Sequence, residues 1–244
     1  MLKDKPIPIP MSTSLTVFFI VFFPILACAE TDSLQAKYFS IGFKKAGICF
    51  GNSTVYTGLR FNLMNKKVRT LNGFDLTLLD LDEDDNRTSN GISIGIVGKM
   101  QAQNNGLSIG GFMNAAERQN GIMLAAVMGG GTRLNGVGVM GGMMTDIVNG
   151  LAISAFLSDN RYIRDSAQNV VNGVALSLFI ANIGEVRGMT VAACNLSILH
   201  KGLAIGGINR TSRLKGVQIG LYNIALNNPR GFRRLPFINM HFGK

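Results

Sequence analysis

Two neighbouring stretches decide the fold: GLAIGGIN at residues 202–209 and GVQIGLYN at residues 216–223. In both, large apolar residues follow the leading glycine at positions +1 and +3, and small or polar residues occupy +2 and +4. This alternation with a period of two predicts a β-strand. Outward from these stretches, a glycine that precedes a hydrophobic residue recurs at intervals of mostly 14 or 15 residues. The series is Gly58, Gly73, Gly91, Gly106, Gly121, Gly136, Gly150, Gly173, Gly188, Gly202, Gly216 and Gly231.

The repeat has two chemically different faces. Position +1 is apolar from Leu59 to Phe232 and position +3 from Phe61 to Ile219, while +2 and +4 are mostly Ser, Ala, Gly, Met or Gln. A unit this short cannot bury its own apolar face, so the repeats must stack in register, where equivalent side chains meet in a continuous core. We expect the small residues to pack closely or to lie flat against a partner.

Asparagine is the second regular feature. It precedes the glycine in many repeats, for example at Asn72, Asn90 and Asn105, and Asn-Gly is typical of a turn with positive φ. A second Asn follows the glycine by seven or eight residues, and stacked amides can satisfy one another as a ladder. The members of this second series are Asn114, Asn195, Asn209, Asn223 and Asn239.

The pattern predicts an all-β protein, a narrow-coil β-solenoid of about twelve 14–15-residue repeats. We assign residues 30–57 to an N-terminal cap segment, 58–231 to the solenoid and 232–244 to a C-terminal cap strand. The alternative is an outer-membrane β-barrel, whose strands also alternate. Against the barrel stand the nearly uniform intervals, the Gly, Ala, Ser and Met of the second face, and the absence of Trp.

The first 29 residues predict a signal peptide and therefore export. Two Lys precede a short apolar run at residues 15–23, and Ala27 and Ala29 supply a small-residue cleavage site. Residues 25–28 also fit a lipoprotein box, in which Cys28 would be lipidated, and an uncleaved anchor is a third option. All three options predict a location in the cell envelope, at the outer membrane or the cell surface.

The composition argues against an enzyme. Hydrophobic residues make up 47% and charged residues 16%, which excludes a disordered, highly charged chain, and there are only two His. No metal-binding, nucleophile or phosphate-loop motif occurs, so we predict no catalytic, cofactor-binding or metal-ligating residues. The acidic run at residues 80–86 fails the EF-hand pattern and is interpreted as a solvated loop. Cys49 and Cys194 are predicted to be buried free thiols, because distant coils cannot bring them together.

A candidate recognition loop lies in the insertion after Ser158. It contains Arg161, Tyr162 and Arg164, and Arg and Tyr dominate interface energetics. The net charge of +10 favours an acidic envelope or host surface component, with membrane association as an option. The basic residues are scattered without a platform of aromatic residues, so no specific nucleic acid is expected.

The stretches at residues 202–209 and 216–225 resemble the G-[VL]-Q-[IL]-G-[LI]-x-N-x-A units of a spirochaete-type bacterial surface-repeat family. The end of the chain, LPFINMHF at residues 235–242, resembles that family's usual end. The resemblance implies export, surface location and no catalytic residues. The function expected is a non-enzymatic envelope protein with a structural, adhesion or ligand-presenting role, and the alternative is an outer-membrane pore.

Overall fold

The computed structural model describes residues 38–43, 45–80, 87–158 and 169–243, all within the unit Ala36–Lys244. These residues form strands and one 3-10 helix, Arg230–Phe232. No helix among them is long and apolar enough to span a membrane. The strands are β1 Tyr38–Phe43, β2 Ala46–Gly51, β3 Val55–Met64, β4 Thr70–Asp80, β5 Thr88–Gly110, β6 Met113–Ser158, β7 Val170–Ala225 and β8 Arg234–His241.

Successive repeats pair in parallel and in register, which confirms the predicted solenoid. Gly58 of β3 pairs with Gly73 of β4, and Gly73 pairs with Gly91 of β5. The same register joins β5 to β6 and β6 to β7, where Gly150 pairs with Gly173. The barrel alternative is wrong for the described residues, because its neighbouring strands would run antiparallel.

The glycines form one column through the stack. An added Cβ on each would meet the carbonyl oxygen of the glycine one repeat earlier, from Gly58 over Gly47 to Gly216 over Gly202. Their φ values lie between 114° and 154°, a region that strongly favours glycine. The Asn-Gly pairs therefore lie within strands, and the predicted turn at these positions is wrong. Gly231 lies outside the column, in the 3-10 helix.

The inside and the outside of the coil are the reverse of the sequence expectation. Small or polar residues at +2 and +4, such as Ser93, Ala152 and Ala175, are buried, while the large residues at +1 and +3 face outward. Stacked sheets pack about 10 Å apart, so a narrow coil has little room for large side chains on both facing strands. The core is completed by the apolar residues two positions before the glycine: Leu71, Leu134, Val148, Val171, Val186 and Leu214.

Antiparallel strands cover both ends of the parallel stack. At one end β1 pairs with β2, placing Ile41 opposite Ile48. At the other end β8 pairs with the last segment of β7, placing Met240 opposite Val217 and Ile238 opposite Ile219. Both end strands thus continue the outward apolar positions of the repeats between them.

Candidate functional site: the outer face

Two parallel columns of apolar side chains, which we call the outer face, run the length of the solenoid. They arise because in-register stacking places equivalent positions of every repeat above one another. The +1 column contains Ile41, Ile48, Leu59, Phe74, Ile92, Leu107, Ile122, Val137, Leu151, Val174, Met189, Leu203, Val217 and Met240. The +3 column contains Phe39, Phe50, Phe61, Leu76, Ile94, Ile109, Leu124, Val139, Ile153, Leu176, Val191, Ile205, Ile219 and Ile238.

Every member of the outer face is exposed or half-buried although none carries a charge or a polar group. Ile92 is 42% exposed, Ile122 44% and Phe50 49%. At the N-terminal end the columns include stacked aromatic rings, with ring centroids of Phe50 and Phe61 5.5 Å apart. An uninterrupted apolar surface of this kind marks a contact with another body, whereas single exposed apolar residues need no explanation.

One border of the outer face, which we call the turn border, is apolar as well. At positions +5 and +6 the chain turns into its return segment, and large side chains there are exposed. Phe156 and Phe179, which belong to neighbouring repeats, stack on each other with ring centroids 5.1 Å apart. The exposed members are Leu63, Met64, Leu78, Ile96, Val97, Phe112, Val127, Phe156, Leu178, Phe179, Ile208, Leu221 and Tyr222.

The opposite border begins with an asparagine ladder. The side-chain amide of Asn90 donates to the amide oxygen of Asn72 at 2.7 Å, and the same bond repeats upward through five further residues. Each inner amide both donates and accepts, so the ladder holds the register of these repeats. The upper members are Asn105, Asn120, Asn135, Asn149 and Asn172.

In the last repeats basic residues replace the asparagines. Arg187, Lys201 and Lys215 each precede a stacked glycine, next to the +1 column. We call the segment within four residues before each stacked glycine from Gly58 to Gly216 the basic border. Besides two acidic residues, Glu117 and Glu185, it exposes seven basic residues: Arg69, Arg118, Arg133, Arg187, Lys201, Arg213 and Lys215.

Glu185 is partly neutralised within this border. Its carboxylate lies 2.8 Å from Nε of Arg187 and 3.1 Å from Nζ of Lys201. The hydrogen bond from Arg187 lowers the pKa of Glu185, so the carboxylate stays ionised at neutral pH. Across all described residues, fourteen Lys and Arg side chains are not buried, against only two carboxylates, Glu117 and Glu185. The accessible charge is strongly positive.

Beneath the N-terminal part of the outer face lies a buried cluster of charged groups. Nε of Arg60 is 2.8 Å from Asp75, and Asp80 pairs with both Arg87 and Lys99, the latter at 3.0 Å. Burial alone raises the pKa of Asp80, but Lys99 and Arg87 outweigh it and lower the pKa to about 2. Burial lowers the pKa of Lys99. All five side chains are at least 95% buried, so the cluster is a structural element without access for a substrate.

The sequence pattern did not predict this cluster, and it indicated a solvated loop for Asp80. In the structure Asp80 ends β4 and its side chain is fully buried. A signal was present, because Arg60 and Asp75 have opposite charges at the same repeat position, fifteen residues apart. Charges in one column of a stack meet across about 4.8 Å and can pair.

The predicted site residues lie outside the described residues. This applies to Arg161, Tyr162 and Arg164 of the candidate recognition loop and to Cys28, so their roles stay predictions. Cys49 and Cys194 are free thiols as predicted, although Cys194 is half-buried rather than buried. Within the described residues no group of three or more His, Cys, Asp or Glu side chains could hold a metal ion.

No protein-family model, no curated protein and no solved structure matches this chain significantly.

Proposed function

We propose that this chain is an exported, non-enzymatic protein of the cell envelope that works by presenting its outer face to another surface. The observation that carries the proposal is the continuity of the two apolar columns from β1 to β8. An enzyme concentrates its chemistry in one concave site. This repeat instead distributes one chemical pattern over every coil, as solenoids with extended binding surfaces do.

Two features of the sequence support the envelope location. Residues 1–29 have the organisation of a signal peptide, and the repeats resemble a spirochaete-type surface-repeat family. The excess of exposed basic side chains suits an acidic envelope or host component as partner. The pore alternative depended on a closed barrel, and nothing in the described residues favours it.

Fractionation of cells, combined with mass spectrometry of the mature N terminus, tests the proposal. We expect the chain in the envelope fraction, beginning at Glu30 or at a lipidated Cys28. Protease added to intact cells then distinguishes surface exposure from an inward-facing location. An intact N terminus together with a purely cytoplasmic location would overturn the proposal.

The recognition loop needs a separate test. Combined substitution of Arg161, Tyr162 and Arg164 by Ala should weaken binding to isolated envelopes or host cells if the loop recognises a ligand. Unchanged binding would reject these three residues as a site and leave the role of the outer face intact.

A further inference from the structure

We propose that the outer face docks on the surface of an anionic phospholipid bilayer, with the turn border inserted and the basic border at the headgroups. This inference rests on the proposed function, because it names the surface that the outer face contacts.

The size of the apolar surface is the first argument. The two columns and the turn border extend about 60 Å along the stack and roughly 17 Å across it, on the order of 1,000 Å². The largest apolar patch on a typical soluble monomer is about 300–600 Å². A surface this large needs a partner, and a bilayer matches its elongated and repetitive form.

The arrangement of charge is the second argument. The basic border carries seven exposed cations and lies along one side of the outer face, and Arg187, Lys201 and Lys215 stand directly beside the +1 column. Amphipathic surfaces that lie in a membrane interface combine an apolar face with flanking Lys and Arg, which attract anionic lipids. Lys and Arg can also extend their charged ends to the headgroups while their stems contact apolar groups.

The excess of positive charge argues against a second copy of this chain as the main partner of the outer face. Two copies of a chain whose accessible side chains are mostly cationic repel each other, and the described surface has only two exposed carboxylates to compensate. An anionic bilayer turns this repulsion into attraction.

The opposite side of the coil lacks this combination of an apolar face and a basic border. Residues on that side therefore provide a matched control. Ile198 on the return segment and Leu226 at the equivalent position, in the turn after β7, are 39% and 38% exposed, close to the 42% and 44% of Ile92 and Ile122 on the outer face. Threonine suits strands and keeps the β-branch of isoleucine, so Ile→Thr removes apolar contact with little change to the backbone.

Flotation of the exported chain with vesicles of phosphatidylethanolamine and phosphatidylglycerol, compared with phosphatidylcholine vesicles, tests the inference. We expect binding to the anionic vesicles that weakens at high salt, and at least about tenfold weaker binding to phosphatidylcholine. The double variant I92T/I122T should lose at least about tenfold in partitioning, whereas I198T/L226T should keep it. The double variant K201Q/K215Q should lose about fivefold per residue on anionic vesicles only.

A fluorescent reporter locates the inserted side. The chain has no Trp, so Leu221→Trp on the turn border and Ile198→Trp on the return segment each provide a single probe. We expect vesicles to shift the emission of the first probe to the blue and to leave the second unchanged. Circular dichroism of every variant checks that the fold is intact.

Three results would overturn the inference. The first is no flotation with either vesicle. The second is flotation that both double variants keep, which would assign binding to the N-terminal apolar segment or a lipid anchor. The third is sedimentation of a lipid-free dimer that I92T/I122T dissociates, which would identify a second copy as the occupant. None of these three results bears on the envelope location, which fractionation tests independently.

Discussion

At the scale of single residues, the glycine column sets the closest approach between repeats. The backbone at Gly121 has φ 119°, and a Cβ there would lie 2.4 Å from the carbonyl oxygen of Gly106. Any other residue is disfavoured here for two reasons. The backbone conformation is strained for an L-amino acid, and the added Cβ would clash with backbone atoms that cannot rotate away. Glycine is thus required both by the local backbone conformation and by the close contact with the preceding repeat.

Gly121→Ala should therefore lower the free energy of unfolding by about 3 kcal/mol or more. Gly142→Ala is the matched control, because its Cβ would meet nothing closer than 3.7 Å. That variant should be neutral or slightly stabilising, since Ala restricts the unfolded chain. Denaturant titration of both proteins measures the difference, and equal stabilities would contradict the role of the column.

His200 is a second residue whose environment is set by stacking. It is 1% exposed in the column that contains Val186 and Leu214, and its Nε2 has no hydrogen-bond partner. The pKa of His200 is lowered to about 4. Burial lowers this pKa, and a hydrogen bond with the backbone of Leu203 opposes the effect only in part. The imidazole is neutral in the folded chain at neutral pH.

Between pH 6.5 and about 4, His200 is protonated in the unfolded chain but not in the folded chain, so stability falls as the pH falls through this window. His200→Leu should remove this contribution and raise the free energy of unfolding by about 2 kcal/mol at pH 5. Unfolding titrations of both proteins at pH 5 and pH 7.5 measure it. An unchanged pH dependence would mean that His200 is not the group that titrates.

At the scale of elements, side-chain ladders hold neighbouring strands in register. The asparagine ladder beside the outer face connects β4 to β7, and a second, buried ladder runs through Asn195, Asn209 and Asn223 with bonds of 2.8 and 2.7 Å. The second ladder confirms the stacked amides expected from the sequence for these three residues, whereas the amides of Asn114 and Asn239 donate to backbone oxygens. Because a one-residue slip would break all of these bonds at once, the ladders oppose alternative pairings of chemically similar repeats.

The buried charged cluster performs the same role among β3, β4 and β5. Asp80 accepts from Arg87, Lys99 and Asn65, so Asp80→Asn leaves the buried Lys99 without a carboxylate and leaves Arg87 with only Asp75, at 3.6 Å. We expect this variant to lose about 3–5 kcal/mol of stability. Since folding lowers the pKa of Asp80 from 3.8 to about 2, its stabilising contribution is complete above pH 4 and disappears between pH 4 and 2.

Glu185→Gln is the control for Asp80→Asn. It also removes a carboxylate from two cations, but Arg187 and Lys201 are 54% and 43% exposed. Solvent screens such a pair, so the loss should stay below about 1 kcal/mol. Thermal unfolding of both variants at pH 7 compares them, and similar losses would show that burial of the cluster contributes nothing specific.

At the scale of the whole molecule, stability should depend on contacts between nearest neighbours. Deleting residues 121–135 removes one repeat and joins Asn120 to Gly136, which restores an Asn-Gly junction. We expect this protein to fold into a solenoid that is shorter by about 5 Å. Deleting only residues 121–127 shifts the register by half a repeat, so folding should fail. Circular dichroism and small-angle scattering distinguish these outcomes.

The sequence by itself determined the stack. Every repeat from Gly58 to Gly216 has a glycine at one place and apolar residues one and three positions later. Units of equal length with equal patterns pair best with themselves in register, so the parallel solenoid follows without reference to any distant contact. The spacing of Asn195, Asn209 and Asn223 predicted their ladder for the same reason.

Only the tertiary structure decided which side of the strand faces inward. A period of two defines two faces but not the one that closes the coil, and hydrophobicity alone chose the wrong face. The coil is too narrow to hold large side chains on both of its strands, so Ser93 and Ala152 fill it and Ile92 and Leu151 face outward. The buried pairing of Asp80 with Lys99 likewise depends on a register shift between Thr77 and Leu79, which makes these two residues partners in adjacent strands. The exposed apolar face is therefore a consequence of space within the coil.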